Sequence, residues 1–176
     1  MRTLRTLVFI MLFIGPVMSW AQPGKCPKLP ENYEWKNTRE YKRDEDLVLK
    51  TLQWLNTTPM SNEVSVRGRA NLFVLEWICG TPRMKLEINS EVLPFYANYP
   101  DLLFAYIFGM AQCKLAKNDP CNEQKAIVSG YNAVAFQIGS TEGLKKAKEL
   151  KPIYKAYKRD KMESYVESLI TKTEEK

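Results

Sequence analysis

Residues 101–111 read Asp-Leu-Leu-Phe-Ala-Tyr-Ile-Phe-Gly-Met-Ala, and Pro100 stands immediately before them. Ten consecutive apolar or small residues without a proline exceed the usual length of a buried strand, so the run predicts a helix opening at Asp101. It is apolar on every side, and a helix without a polar face is normally surrounded by protein. The run also falls well short of the roughly 20 apolar residues needed to cross a bilayer. An all-α protein built around this central helix is therefore the expected fold.

Toward the C-terminus, Lys114 and Lys117 lie near the end of that helix. Asn118-Asp119-Pro120 is expected to stop it and cap the next, with Pro120 at the first helical position. Ile127, Tyr131, Val134 and Ile138 then form an apolar stripe that Gly139 closes. Small Ala126, Gly130 and Ala133 lie beside it, which predicts a close approach to the central helix. A further helix is expected after Ser140 or Thr141 as N-cap, with Leu144, Ala147 and Leu150 on its apolar face and Pro152 kinking or interrupting it. Met162, Tyr165, Val166, Leu169 and Ile170 give a last stripe before a charged tail.

Toward the N-terminus, Ser90 can cap a short helix reaching Ala97. Residues 84–89 alternate with the period of a strand, but a single strand has no partner, so they read as an extended connection. Val66, Ala70, Phe73, Val74, Trp77 and Ile78 mark a helix from about Glu63, ended by Gly80 at C′ and Pro82. Before it, acids from Asp44 and the spacing of Val48, Leu52 and Leu55 mark a helix that stops at Asn56-Thr57-Thr58-Pro59. The reading is a bundle or irregular array of five to six helices, forming a single α-helical domain over residues 43–176. Residues 22–42 carry Pro23, Pro27 and Pro30 without helical or strand period, and read as an extended arm that Tyr33 and Trp35 pin to the core.

The first 21 residues read as a signal peptide. Arg2 and Arg5 precede the apolar run Leu7 to Ile14, Gly15-Pro16 breaks it, and Ser19-Trp20-Ala21 places small residues for cleavage after Ala21. Cleavage would remove two Arg and no acid from a formal +6, leaving +4. No later stretch is long and apolar enough to span a membrane. The expected location is periplasmic or secreted, an oxidising compartment in which Cys26, Cys79, Cys113 and Cys121 most often pair. Cys113 with Cys121 is favoured because the two are close in sequence, at the end of one predicted helix and the start of the next. That leaves Cys26 with Cys79.

The 176 residues contain no histidine, which excludes Ser-His-Asp and Cys-His catalysis and imidazole metal ligation. There is no Gly-rich phosphate loop, G-x-S-x-G elbow or close-spaced thiol pair, so no catalytic residue, metal site or cofactor is expected. The conspicuous charge feature is Lys145, Lys146, Lys148, Lys151, Lys155, Lys158, Arg159 and Lys161 against Glu149 and Asp160. This +6 segment is read either as a contact for an anionic envelope surface or as a solvated helix face. Nucleic acid is disfavoured for an exported chain whose basic segment has few aromatics to stack on bases. Tyr96, Tyr99 and Tyr106 suggest an aromatic ligand pocket beside the central helix, although aromatics at this spacing also make plain core.

Trp54-Leu55-x-x-Thr58-Pro59 followed by Trp77-x-x-Gly80-x-Pro82 resembles a pattern in small exported α-helical proteins of Gram-negative bacteria. The resemblance covers about half of the mature chain and implies compartment and fold, with no catalytic residue to carry over. The functional expectation is a non-enzymatic binding or structural-interaction module of the cell envelope, whose partner is a protein or an anionic surface. The alternative is a periplasmic small-ligand carrier or enzyme with an aromatic pocket between helices.

Overall fold

The computed structural model describes residues 24–116 and 120–174. These residues form an all-α structure: α1 (Thr38–Thr57), α2 (Val64–Gly80), α3 (Asp101–Leu115), α4 (Glu123–Ser140), α5 (Lys151–Lys158) and α6 (Met162–Glu174). Short 3-10 turns lie at Ser90–Val92, Leu144–Lys146 and Lys148–Leu150. The proposed signal peptide, and the Asn118-Asp119 stop, lie outside the described residues.

α3 is central, as its uniform apolarity requires. Its Phe108, Ala111 and Leu115 join Val48, Leu52 and Leu55 of α1 and Ala70, Phe73, Val74 and Trp77 of α2 in one buried cluster. Its Leu102, Ala105, Tyr106 and Met110 join Tyr131, Val134 and Ile138 of α4, Ile153 of α5 and Val166 of α6 in a second. The helix is therefore a wall shared by two cores.

The α3 and α4 backbones meet at glycines. A Cβ on Gly109 would lie 2.5 Å from the Ser129 carbonyl oxygen and 2.8 Å from the Gly130 Cα, while one on Gly130 would meet the Tyr106 ring at 2.7 Å. Ser129 Oγ donates to the Gly109 carbonyl at 2.8 Å across this contact. Small residues in this stripe are thus required by backbone proximity.

The element ends depart from the sequence reading in several places. α1 begins at Thr38, inside the expected arm, because Asn37 Oδ1 accepts the Arg39 and Glu40 amides at 3.1 and 3.2 Å. Glu40 reaches back to accept the Lys36 amide at 2.5 Å, so the start is closed from both sides. The cap of α4 is Asn122, whose side chain accepts the Lys125 amide at 2.8 Å, and Pro120 lies before the helix. The α-helix expected after Ser140 or Thr141 does not form: Leu144 and Leu150 lie in two 3-10 turns, and Pro152 sits in the first turn of α5, where its missing amide leaves no bond unmade. Ser90 lies inside a 3-10 turn capped by Asn89, and the chain then runs in turns through Asn98.

Gly80 also has a different role from a C′ glycine. It is the last helical residue of α2, and a Cβ there would overlap the Tyr41 hydroxyl, so the residue is small to seat that ring. Residues 84–89 form an extended connection. The arm is pinned through aromatics: Tyr33 meets Phe73 edge to face at 5.0 Å, and Trp35 stacks on Tyr41 at 5.6 Å. Trp35 Nε1 donates to Asp44 Oδ2 at 2.8 Å, and Trp77 Nε1 donates to the Tyr41 carbonyl at 3.0 Å.

Candidate functional site

The basic segment is the surface of the two 3-10 turns, α5 and the start of α6. Leu150, Ile153, Ala156 and Met162 point inward and are buried. With those positions occupied by packing, the intervening residues must face water. Lys145, Lys146, Lys148, Lys151, Lys155, Lys158, Arg159 and Lys161 are all exposed.

Among the described residues none of these eight makes an ion pair within 4.0 Å. Of the two acids in the segment, Glu149 has its Oε2 3.5 Å from the Tyr99 hydroxyl, and Asp160 forms the left-handed turn between α5 and α6. The apolar face of α5 is already covered by protein, so a contact made by this face with another body would be carried by charge. Such a contact is screened by salt over roughly 8–10 Å at ordinary ionic strength.

The three tyrosines do not come together as a pocket. Tyr96 is exposed. Tyr99 is half-buried beside Glu149, and partial desolvation together with that carboxylate raises its hydroxyl pKa. Tyr106 is fully buried, with its ring on Gly130 and edge-on to Tyr131 at 5.6 Å, and burial pushes its hydroxyl pKa up. Tyr106 is therefore core, its ring seated against the backbone of Gly130 where a Cβ would stand. Tyr131 donates its hydroxyl to the Val92 carbonyl and ties the 3-10 turn to α4.

The cysteines pair in part. Cys113 and Cys121 form a disulfide with Cα atoms 5.7 Å apart, closing the α3–α4 connection beside a Lys114–Glu123 ion pair of 2.5 Å. Cys26 and Cys79 are free, contrary to expectation. Cys26 lines a cavity with Ser65, Val66 and Arg69 at the first turns of α2, while Cys79 is in the last turn. Thirteen helical residues, from Val66 to Cys79, span about 20 Å, against the roughly 7 Å limit between bridged Cα atoms. Burial also raises the Cys26 thiol pKa.

Arg67 is a candidate that the sequence reading did not single out. It is 7% exposed, yet no carboxylate among the described residues pairs with it. Its Nη2 donates to the Leu55 carbonyl at 2.9 Å and to the Thr58 carbonyl, and the guanidinium lies 5.7 Å from the centre of the Trp54 ring. These are carbonyls at the end of α1, where a cation complements the helix dipole. Gln137 of α4 donates to the Thr58 carbonyl at 3.0 Å and accepts the Met60 amide at 2.9 Å. The residues of the Trp54-Leu55-x-x-Thr58-Pro59 pattern are thus the wrapped terminus of α1. Burial lowers the Arg67 pKa, and its Nε has no hydrogen-bond partner.

A cleft of about 190 Å³ opens between α2 and α3 at this point. Arg67 and Asn71, one turn apart on α2, line it together with exposed Asp101 at the start of α3. Leu55, Phe104 and Phe108 supply apolar wall. Asn71 Oδ1 is buried without a hydrogen-bond partner.

No helix among the described residues is long and apolar enough to cross a membrane. No protein-family model, curated protein or solved structure matches the chain.

Proposed function

We propose that the chain is an exported, non-enzymatic helical module that docks on the anionic lipid surface of the cell envelope through the basic face of residues 145–161. The observation that carries this reading is the set of eight exposed cations on one segment, none of them held in an ion pair among the described residues. Each Lys or Arg near an anionic leaflet contributes about 1 kcal/mol, so a few simultaneous contacts suffice for reversible association. Export is supported by the charged and apolar pattern of residues 1–21 and by the Cys113–Cys121 disulfide, since such bonds persist in oxidising compartments. The absence of histidine and of any recognised nucleophile motif favours binding over catalysis.

Co-sedimentation with vesicles tests the proposal. The protein should pellet with vesicles carrying anionic lipid, remain in solution with zwitterionic ones, and be released by salt. Combining Lys148→Glu, Lys151→Glu and Lys155→Glu removes three contacts worth together about 3 kcal/mol, a loss of affinity on the order of a hundredfold. Binding that survives both the triple variant and high salt would refute the assignment.

A further inference from the structure

We propose that the cleft between α2 and α3 binds a free α-amino acid with a short aliphatic side chain, its carboxylate on Arg67 and its ammonium group toward Asp101 and Asn71. A guanidinium this deeply buried is costly unless its charge and its hydrogen bonds are met. Capping of α1 accounts for Nη2, which serves the Leu55 and Thr58 carbonyls. It leaves Nε without an acceptor, and among the described residues no ion pair supplies a counter-charge.

The other lining groups narrow the ligand. Asn71 Oδ1 is an acceptor without a donor, and Asp101 is an anion at the same cleft. A simple carboxylate would satisfy Arg67 but would leave the Asn71 acceptor unmet and would face the Asp101 charge. A zwitterion meets all three: it brings an acceptor to the guanidinium and a cationic donor to the amide oxygen and the carboxylate. Leu55, Phe104 and Phe108 offer apolar surface to a hydrocarbon side chain. The volume of about 190 Å³ exceeds the cavity of about 150 Å³ that accommodates a benzene molecule, which suits a side chain of three or so carbons. This cleft is independent of the basic face, and either assignment can fail without the other.

Calorimetric titration of the purified protein with L-valine, isovalerate and isobutylamine separates the contributions, because isovalerate is valine without its amino group and isobutylamine lacks the carboxylate. Valine should bind saturably, isovalerate more weakly and isobutylamine most weakly. Arg67 also holds the end of α1, so its removal can compromise folding, and the informative variant is Asp101→Asn on the exposed side of the cleft. It should weaken valine about two- to fivefold while leaving isovalerate unchanged or improved. In an NMR titration the Arg67 Nε–H and Asn71 side-chain resonances should shift with valine occupancy. No saturable valine binding by the folded protein would overturn the proposal, as would isovalerate binding as tightly as valine. Valine binding that leaves the Arg67 Nε–H resonance in place would do the same.

Discussion

Replacing Gly109 by alanine should destabilise the protein, whereas the same change at Gly68 should stabilise it. At Gly109 the added Cβ meets the Ser129 carbonyl oxygen at 2.5 Å, the Gly130 Cα at 2.8 Å and the Ala133 Cβ at 2.9 Å, none of which can rotate aside. Ordinary contact begins at 3.4 Å, so the nearest pair must separate by the difference, 0.9 Å, and α3 must move off α4. Overpacking of this kind costs about 1–3 kcal/mol, and contacts made by backbone rather than by flexible side chains belong at the upper end. Helical alanine is favoured over glycine by about 1 kcal/mol, which leaves a net loss of about 2 kcal/mol. At Gly68 a Cβ meets nothing within 4 Å, so the helical gain stands alone at about 1 kcal/mol. For a chain of this size, where 1 kcal/mol moves the midpoint by roughly 2–4 °C, Gly109→Ala should lower Tm by about 4–8 °C and Gly68→Ala should raise it by about 2–4 °C. Calorimetry and urea denaturation followed by circular dichroism would measure both. A Gly109→Ala protein as stable as the parent would refute the close α3–α4 crossing.

Three further predictions follow from the same structure. The Arg43 guanidinium, hydrogen-bonded to Asp44, and then the Trp35 indole hold the Asp44 carboxyl below its usual range, so its contribution to stability is present above the unfolded value of about 3.9 and is lost as pH falls through the folded one. The stability gap between the parent and Asp44→Asn, followed by urea midpoints, should therefore be open at pH 6 and close in acid; a gap independent of pH would contradict this. Gln137→Leu strips the part-buried Met60 amide of its acceptor and the Thr58 carbonyl of one of its donors, and should cost about 1–3 kcal/mol in a denaturation series; a variant as stable as the parent would contradict this. Alkylation of the unreduced, denatured protein should label two thiols, Cys26 and Cys79, and leave Cys113 and Cys121 unlabelled; in the native state Cys79 should react first, because it is exposed and Cys26 is partly buried with a raised pKa. Equal rates at the two native thiols would argue against the seating of Cys26 beside α2.

The fold was legible where a residue's neighbours in space are also its neighbours in pattern. Leu102 to Ala111 announced a surrounded helix, and the small residues Ala126, Gly130 and Ala133 announced a close crossing, because both follow from side-chain size and the helical period. Cys113 and Cys121 could be paired because the chain between them is short. Pairing Cys26 with Cys79 by elimination failed, since which turn of α2 receives the arm depends on how Tyr33 and Trp35 seat against Phe73. Asn37 and Asn122 were passed over as caps because acids and a proline nearby suggested other starts.

At the candidate sites the division is sharper. Counting charges located the eight cations, and the burial of Leu150, Ile153 and Ala156 fixes which way they face. Arg67 left no mark in the pattern, because arginine is ordinarily exposed and its partners are main-chain carbonyls, which every residue possesses. Its neighbour Val66, read as part of the buried stripe, is 38% exposed. At the first turn of α2 the inward position belongs to Arg67 and not to Val66, while Ala70, Phe73, Val74 and Trp77 are buried as read.

Because α3 lends opposite faces to two apolar clusters, neither half of the molecule can come apart without baring the flank of the other. Amides along α3 should accordingly exchange with deuterium only through whole-molecule opening, and the two halves should lose protection together rather than as separate units.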